Sequence, residues 1–431
     1  MKILIVAHGH PDYSAGGAEM AAYSLYRALS DENPDDVCFL SWISSERMKL
    51  HSPNEVTRLG PGRNEWLLHA PNSEWLYQST VSRSLISRSF IRFMQKINPD
   101  VIHFHHYLGI GLDAIRLVRR LFPNCRIVVT LHEFLAICLR DGQMITRPAN
   151  KLCVRASSLR CSGCFPELYR SHFGLRELWY KRHFAMVDGF ISPSQFLKQR
   201  YVAWGIQPER IEVIENAQVC TEHPEQRRDP QSNAIVSTFG FFGQLNPYKG
   251  IDILLKAAVS ISAKLAANPS AVLPRIVVYG TMAGQSDEFK DQMTTAFSKA
   301  PEILEYRGPY DMSEVISLMS SVGWVVVPSI WWENSPVVIE EAFFSGRPVI
   351  CSDIGGMAEK VTHGLNGLQF RARDPDDLAR VILEASSNEV QWRDMTRNVR
   401  PVPGLAETGT IHGEYYDRLA PRRVSEREAL H

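Results

Sequence analysis

The sequence predicts an α/β protein made of two domains, each built on a parallel sheet. Short β-branched runs alternate with amphipathic helical stretches in both halves of the chain, and hairpin turns do not join them. A chain of 431 residues is also longer than one hydrophobic core ordinarily supports. A polar, charged stretch near the middle separates the two copies of the pattern, so we place the domain boundary there.

Each half has its own set of predicted strands. In the first half we expect strands at 2–8, 37–43, 100–106, 126–132, 189–193 and 211–216. In the second half we expect them at 234–243, 275–280, 305–308, 322–327, 349–352 and 367–370. The predicted organisation is an N-terminal domain (1–217) with a Cys-rich insertion at about 138–166, a linker (218–233), a C-terminal domain (234–395) and a tail (396–431). A helix in the tail is long enough to cross back to the first domain.

Composition narrows the class of protein. The content of 45% apolar and 22% charged residues is typical of soluble globular proteins. The apolar runs are shorter than ten residues, too short for a membrane span or a signal peptide, so we expect a cytoplasmic protein. Nothing in the sequence indicates nucleic-acid binding. The N-terminal half is mildly basic, with 26 Lys and Arg against 20 Asp and Glu through Glu215, which an anionic membrane or lipid-linked substrate would favour.

The stretch from Pro328 to Pro348 is the strongest candidate site. A buried strand ends at Pro328, and Asn334-Ser335-Pro336 then begins a helix that Gly346 stops. Glu333 precedes this helix and Glu341 lies within it, with seven residues between them. Two carboxylates beside free helix N–H groups suit a ligand that carries both hydroxyls and a phosphate. The alternative is that Glu333 only satisfies the helix dipole and that Glu340 and Glu341 are surface charges.

Two further segments are suited to phosphate. Gly16-Gly17 directly precedes a helix, and Lys249 stands before another, where an ammonium and free N–H groups would neutralise a diphosphate. The glycines alternatively serve only the turn. No G-x-G-x-x-G is present, so a nicotinamide or flavin cofactor is not expected. Asp374-Pro375 predicts the start of a helix rather than a pair of metal-binding carboxylates.

Four cysteines cluster in the first half: Cys138, Cys153, Cys161 and Cys164. Four thiolates suit a tetrahedral structural zinc, which would stabilise a segment that has little core of its own. Free thiols, a redox pair and disulfides remain alternatives.

Two predicted helices in the N-terminal half are basic and amphipathic. One carries Arg83, Arg88, Arg92 and Lys96, and the other carries Arg116, Arg119 and Arg120. The pattern fits a helix that rests on a membrane surface, and it also fits the more common case of a solvated helix packed on a sheet.

Taken together, these motifs resemble the retaining glycosyltransferases of family 4, which have the GT-B fold. The resemblance covers nearly the whole chain and is carried by GGAE (16–19), TLHE (130–133), ISPSQFLKQ (191–199), FGQLNPYKG (242–250) and PSIWWENSPVVIEEAFFSGRPVICSDIGG (328–356). It implies two Rossmann-like domains with parallel sheets facing across a cleft.

The resemblance implies roles for matching residues. Glu341 would hold the donor ribose and Glu333 the sugar hydroxyls, with the amides of Asn334 and Ser335 reaching the sugar or phosphate. Lys249 would bind the diphosphate. His132 would sit over the reacting sugar, and Gly16-Gly17 would close the cleft; alternatively, His132 only hydrogen-bonds a neighbour. The family usually has Arg where this chain has Gln244. The diphosphate would therefore contact one fixed positive charge fewer than in other members of the family.

The resemblance implies transfer of a sugar from a UDP- or GDP-sugar to a glycan or lipid-linked acceptor. The leaving phosphate oxygen would take the acceptor proton, so retention would need neither a protein nucleophile nor a catalytic metal. The expected setting is bacterial surface polysaccharide or glycolipid synthesis, with peripheral contact at the inner membrane face. A sugar-nucleotide epimerase and a non-catalytic binding protein of the same fold remain alternatives. Donor identity, acceptor identity and oligomeric state cannot be predicted from the sequence.

Overall fold

The structure is a computed structural model that describes residues 1–13, 16–31, 33–44, 55–79, 83–147, 149–216, 235–267, 272–400 and 404–420. The chain divides into two compact units. Unit 1 comprises Met1–Val219 together with Pro403–His431, and unit 2 comprises Cys220–Val402. The predicted linker at 218–233 lies outside the described residues.

Unit 1 is built on one sheet with the strand order β3-β4-β2-β1-β5-β6-β7-β8. Its strands are β1 (Ile3–Ala7), β2 (Val37–Ser44), β3 (Val56–Arg58), β4 (Glu65–Ala70), β5 (Val101–Phe104), β6 (Arg126–Thr130), β7 (Gly189–Ser192) and β8 (Ile211–Val213). Neighbouring strands pair in parallel, apart from the antiparallel pair of β3 and β4. Most central strands are buried along their whole length, which explains their continuous apolar runs.

The helices of unit 1 cover this sheet. They are α1 (Gly17–Ser30), α2 (Arg83–Ile97), α3 (Asp113–Leu121), α4 (Ser158–Cys164), α5 (Arg170–Ala185) and α6 (Gln195–Trp204), with α14 (Leu405–Arg418) from the C-terminal segment. Tyr415 and Tyr416 of α14 share a core cluster with Ala22 and Leu25 of α1. The C-terminal helix is therefore part of the hydrophobic core of unit 1.

Unit 2 repeats the architecture with the strand order β11-β10-β9-β12-β13-β14. Its strands are β9 (Thr238–Phe242), β10 (Arg275–Tyr279), β11 (Leu304–Gly308), β12 (Trp324–Val327), β13 (Val349–Ser352) and β14 (Gly367–Phe370). Its helices are α7 (Ile251–Ala267), α8 (Asp287–Ser298), α9 (Val315–Ser320), α10 (Val337–Phe344), α11 (Gly355–Lys360), α12 (Pro375–Ser386) and α13 (Glu389–Arg397). Every pairing in this sheet is parallel.

The predicted fold class, two α/β units with parallel sheets, is confirmed. In each unit, loops that follow the carboxyl ends of adjacent strands meet at one edge of the sheet, where parallel α/β proteins bind their ligands. Within the described part of the chain, no helix combines the length and apolarity needed to cross a bilayer.

Candidate active site

The carboxylate loop of unit 2 (328–336) joins the buried strand β12 to α10. Pro336 caps α10 in an extended conformation without a side-chain hydrogen bond, and the helix begins at Val337 as predicted. Two contacts hold the loop to its neighbours: Ile330 N–H donates to the Tyr248 carbonyl, and Gly356 N–H donates to the Glu333 carbonyl. Glu333 is therefore carried by a loop that is fixed on both sides.

The Glu333 carboxylate is the centre of this loop. It is buried, with 6% exposure, and its Oε1 accepts three hydrogen bonds. The donors are Lys249 Nζ at 2.7 Å, Ser329 Oγ at 2.8 Å and Trp331 Nε1 at 2.8 Å. Three donors on one oxygen fix the orientation of the carboxylate far better than a single ion pair would. Glu333 and Lys249, predicted as separate sugar and diphosphate ligands, are thus direct partners.

Lys249 is held in place by its own loop as well. Its ammonium lies 5.9 Å from the centroid of the Trp331 ring, and its backbone N–H donates to Asn246 Oδ1. Gly250 has φ +72°, and a side chain there would collide with the Pro328 carbonyl. The close approach of the Lys249 loop to the carboxylate loop therefore requires glycine at this position.

Glu341 is a second buried carboxyl, with 7% exposure. Desolvation, together with the neighbouring Glu340 charge, raises the pKa of Glu341 to about 8. Glu340 itself pairs with the buried Lys360 at 2.7 Å and accepts a hydrogen bond from Ser335 Oγ at 2.8 Å. The alternative that Glu340 and Glu341 are surface charges is therefore wrong, and Ser335 contacts Glu340 through its side chain.

Gln244, at the position where the family usually has arginine, is exposed. Its side-chain amide donates to the Ala283 carbonyl at 3.1 Å. Trp331 and Ser329, which complete the hydrogen bonds to Glu333, were not singled out from the sequence. The indole beside Lys249 could have been noticed from the unusual Trp331-Trp332 pair directly before Glu333.

The candidate site of unit 1 lies where β1, β5 and β6 end side by side. Each strand is followed within a few residues by a histidine: His8 after β1, His105 and His106 after β5, and His132 after β6. Only His132 was assigned from the sequence. The run His103-Phe104-His105-His106 at a strand end was the signal for the others, because alternate side chains of a strand lie on the same face of the sheet.

His132 is hydrogen-bonded to His105. His132 Nε2 lies 3.0 Å from His105 Nδ1, and the two rings stack at 5.2 Å between centroids. Burial lowers the pKa of His132 to about 3 and that of His105 well below its usual value, so both rings are neutral at physiological pH.

The hydrogen bond also assigns the tautomers. His105 Nε2 is buried and has no hydrogen-bond partner within the part of the chain that the structure describes. A buried N–H without a partner is the less favourable choice, so the His105 proton belongs on Nδ1, from which it is donated to His132 Nε2. A neutral His132 then carries its proton on Nδ1. The ring is a hydrogen-bond donor through Nδ1 and an acceptor from His105 through Nε2.

Two carboxylates border the histidines. His8 Nε2 lies 3.2 Å from Glu19 Oε1, and His106 Nε2 lies 3.4 Å from Glu133 Oε1. Burial raises the pKa of Glu133 to about 8. Both acids sit in the GGAE and TLHE motifs, yet sequence reasoning gave neither a role.

Gly16 and Gly17 lie at the start of α1, beside this cluster. Gly16 is the N-cap residue in an extended conformation, and Gly17 is the first helical residue. A side chain at Gly16 would collide with the Glu19 carboxylate. Gly16 therefore allows Glu19 to fold back toward His8, which gives this glycine a packing role beside the predicted phosphate contact.

A fifth histidine, His103, packs against this cluster. His103 Nδ1 is 2.7 Å from Tyr416 Oη on α14, and His103 Nε2 is 2.7 Å from Thr130 Oγ1. The His103 ring also lies 4.4 Å from that of His105. The C-terminal helix is therefore connected to the support of His132 through buried polar contacts.

The cysteine prediction is not supported. Cys138, Cys153, Cys161 and Cys164 are free and partly buried. Across the described ranges, no group of three or more His, Cys, Asp or Glu side chains is placed to hold a metal ion. Burial of its thiol raises the pKa of Cys138 to about 11.

The predicted basic helices are only partly solvent-facing. Arg119 on α3 is buried, pairs with Asp188 at 2.5 Å and donates to the Met186 carbonyl. Its charge is neutralised within unit 1, so it cannot face a membrane. The side chain of Arg83 lies outside the described residues.

Comparison with known families accounts for both units. Residues 15–217 match the family model described as Glycosyltransferase Family 4, and residues 236–388 match the model described as Glycosyl transferases group 1. The two models together cover most of the chain.

Individual relatives are distant. The D-inositol 3-phosphate glycosyltransferase of Nocardia farcinica is 24% identical over 247 residues, which is 55% of this chain and 54% of that protein. The chain thus spans about half the length of this curated relative. An uncharacterized 42.6 kDa protein in the cps region of Klebsiella pneumoniae is 22% identical over 372 residues, 83% of this chain and 87% of that protein. The crystal structure of Anabaena HepE with UDP-glucose has a TM-score of 0.63 at 16% identity, covering 97% of this chain and 100% of that one, which shows a shared fold.

Proposed function

We propose that the chain is a GT-B glycosyltransferase, with a family 4 domain followed by a group 1 domain, and that it transfers a sugar with retention from a nucleotide-diphosphate sugar. The donor is a UDP- or GDP-sugar, and the acceptor is a hydroxyl of a glycan or of a lipid-linked glycan. The observation that carries the proposal is the Lys249–Glu333 pair, completed by Trp331 and Ser329 on fixed loops of unit 2.

In the proposed donor site, Lys249 neutralises the diphosphate and Glu333 orients the sugar hydroxyls. The hydrogen bond from Lys249 Nζ to Glu333 at 2.7 Å fixes the ammonium beside the proposed position of the phosphate, where charge develops. Glu341 accepts hydrogen bonds from the ribose, which offset the desolvation of its carboxylate. The amides of Asn334 and Ser335 contact the sugar or phosphate. Because Gln244 adds no charge, Lys249 carries more of this stabilisation than it would beside an arginine.

In the proposed reaction, the bond between the anomeric carbon and the β-phosphate oxygen breaks. The acceptor oxygen attacks the same face of the sugar, and its proton passes to the departing phosphate oxygen. This sequence gives retention without a covalent enzyme intermediate, and Lys249 supplies a cation at the leaving group, so that catalysis is metal-independent. His132 donates a hydrogen bond from Nδ1 to the transferred sugar, and Gly16-Gly17 contribute backbone N–H groups from unit 1.

The proposed setting is the synthesis of a bacterial surface polysaccharide or glycolipid in the cytoplasm, with peripheral contact at the inner membrane face. The relative in the cps region of Klebsiella pneumoniae supports this setting, because it matches 83% of this chain.

A donor panel tests the proposal. Purified protein is incubated separately with UDP-, GDP- and ADP-sugars, and thermal shift and slow release of free nucleotide diphosphate are recorded. We expect one nucleotide class to stabilise the protein and to be hydrolysed slowly, and we expect Glu341→Ala to lose both effects. Glu302→Ala, which changes an exposed acid of unit 2, is the matched control. Failure of every donor to bind would favour a non-catalytic binding protein, and interconversion of the sugar without release of diphosphate would identify an epimerase.

A further inference from the structure

The outward face of α5 is unusually apolar. Its inward face already fills the core with Phe173 and Tyr180. On the opposite face, Leu175 is 55% exposed and Leu178 is 65% exposed, although a solvated helix ordinarily carries charged residues there. Neither leucine is needed to hold α5 in place.

A cavity lies beside these leucines. It has a volume of about 350 Å³, within the range of small-molecule sites, and is lined by Tyr77, Ser79, Leu175, Leu178, Trp179 and Arg182. Trp179 Nε1 donates to the Tyr77 carbonyl at 2.9 Å, so the indole forms a fixed wall. On the same turn as Tyr77, Trp75 is 52% exposed. We call this surface the α5 patch: Trp75, Tyr77, Leu175, Leu178, Trp179 and Arg182.

The charge around the α5 patch is positive. α5 carries Arg170, Lys181 and Arg182 on or beside its outer face, against two acids, Glu177 on the same helix and Glu74 directly before Trp75. Glu177 pairs with Lys181 at 2.6 Å. The arginines at the two ends of the helix are both exposed. Apolar and aromatic side chains flanked by cations are the composition of surfaces that lie in the interface of an anionic bilayer.

We propose that the α5 patch docks on an anionic lipid bilayer, with Leu175 and Leu178 at the hydrocarbon boundary and the cavity receiving the end of one acyl chain. Arg182 lies at the rim of the cavity, where its guanidinium pairs with a lipid phosphate. The proposal specifies which surface of unit 1 makes the membrane contact. The biological purpose of this contact rests on the proposed function. The proposal also places a membrane contact on α5 rather than on α3, where Arg119 is buried.

Vesicle co-sedimentation of the full chain tests the proposal. Equimolar phosphatidylglycerol–phosphatidylcholine vesicles are compared with phosphatidylcholine vesicles. We expect Leu178→Ser to weaken binding to the anionic vesicles about tenfold, because a leucine no longer leaves water. Arg182→Gln is expected to weaken the same binding about fivefold and to leave binding to neutral vesicles unchanged. Leu273→Ser is the matched control, because Leu273 in unit 2 is also 65% exposed.

Equal loss in the Leu178 and Leu273 variants would overturn the proposal. So would a change in the sedimentation coefficient of Leu178→Ser without a change in vesicle binding, which would identify the patch as a protein interface. Release of nucleotide diphosphate in the absence of vesicles is measured in parallel and is expected to be unchanged by Leu178→Ser. Vesicle binding without any such release in the wild type would refute the proposed function and leave the lipid contact standing.

Discussion

Replacing Glu341 by glutamine is expected to stabilise the ligand-free protein at alkaline pH. Glu341 is 7% exposed and lies next to Glu340, whose charge is balanced by Lys360. Glutamine has nearly the same shape but cannot ionise. The substitution therefore removes the unfavourable charge while leaving the packing of α10 unchanged.

The magnitude follows from the pKa of this carboxyl. Its pKa is raised from the usual 4.5 to about 8, which corresponds to about 5 kcal/mol. Between these two values the folded protein binds the proton and the unfolded chain does not, so the free energy of unfolding of the wild type falls as pH rises from 4.5 to 8. Below pH 4.5 both states are protonated and the group has no effect. Above pH 8 the wild type is destabilised by the full amount, whereas Glu341→Gln is not destabilised because glutamine cannot ionise.

The assay is urea unfolding of both proteins at pH 5 and pH 8.5, followed by tryptophan fluorescence. We expect nearly equal midpoints at pH 5 and a variant that is more stable by roughly 3–5 kcal/mol at pH 8.5. Glu384→Gln, an exposed acid on α12, is the control and should show no pH-dependent difference.

Parallel curves for the wild type and Glu341→Gln would refute the reasoning, because they would mean that Glu341 is ionised in the folded protein at pH 5. Glu341→Gln could be stabilised as predicted and still bind the donor with unchanged affinity. This result would support the burial of Glu341 but would contradict its assignment as the ribose ligand.

Two further predictions concern the supports of the proposed catalytic groups. Trp331→Phe removes one hydrogen bond to Glu333 but keeps the ring beside Lys249, so kcat/KM should fall about tenfold or more, as expected for a bond to a charged group, while urea stability changes little. Trp204→Phe on α6, which lies outside every residue set assigned a function, is the control. An unchanged kcat/KM in Trp331→Phe would contradict a role for the indole. His105→Phe removes the donor to His132 Nε2, whereas His105→Asn places an amide N–H near the position of the imidazole Nδ1. We expect His105→Phe to lower kcat about tenfold or more, and we expect His105→Asn to retain most of the wild-type kcat. The tautomer of His132 is determined by nitrogen NMR in the absence of donor. The same His132 tautomer in the wild type and in both variants would rule out this role of His105.

Much of the fold was predictable because its signals are local. Buried parallel strands such as β12 appear in the sequence as continuous apolar runs. The helix α10 begins after Pro336 and ends before Gly346, as the sequence indicates. The Asp374 side chain accepts hydrogen bonds from the N–H groups of Asp376 and Asp377, which confirms the predicted helix start.

The site was less predictable because its partners are distant in sequence. Lys249 and Glu333 are separated by 84 positions, and His103 and Tyr416 by 313, so no local pattern could pair them. The same limit explains the Arg119 prediction. Its helix is amphipathic and basic, but Asp188 lies on another element and neutralises the charge inside unit 1. Local periodicity can show that a cation is present on a helix, whereas burial decides what it faces.

The contacts of Glu333 bear on the role proposed for this carboxylate in a retaining transfer. Attack on the anomeric carbon by Glu333 Oε1 would require lone pairs that now accept hydrogen bonds. The three donors are Lys249, Ser329 and Trp331. Each of these bonds lowers the nucleophilicity of the oxygen and resists the movement needed for attack. The same bonds are an advantage for a group that orients substrate hydroxyls, since they fix the carboxylate before the substrate arrives and so reduce the reorganisation needed in the transition state. The three hydrogen bonds on Oε1 are therefore consistent with the proposed role of Glu333 in orienting substrate hydroxyls.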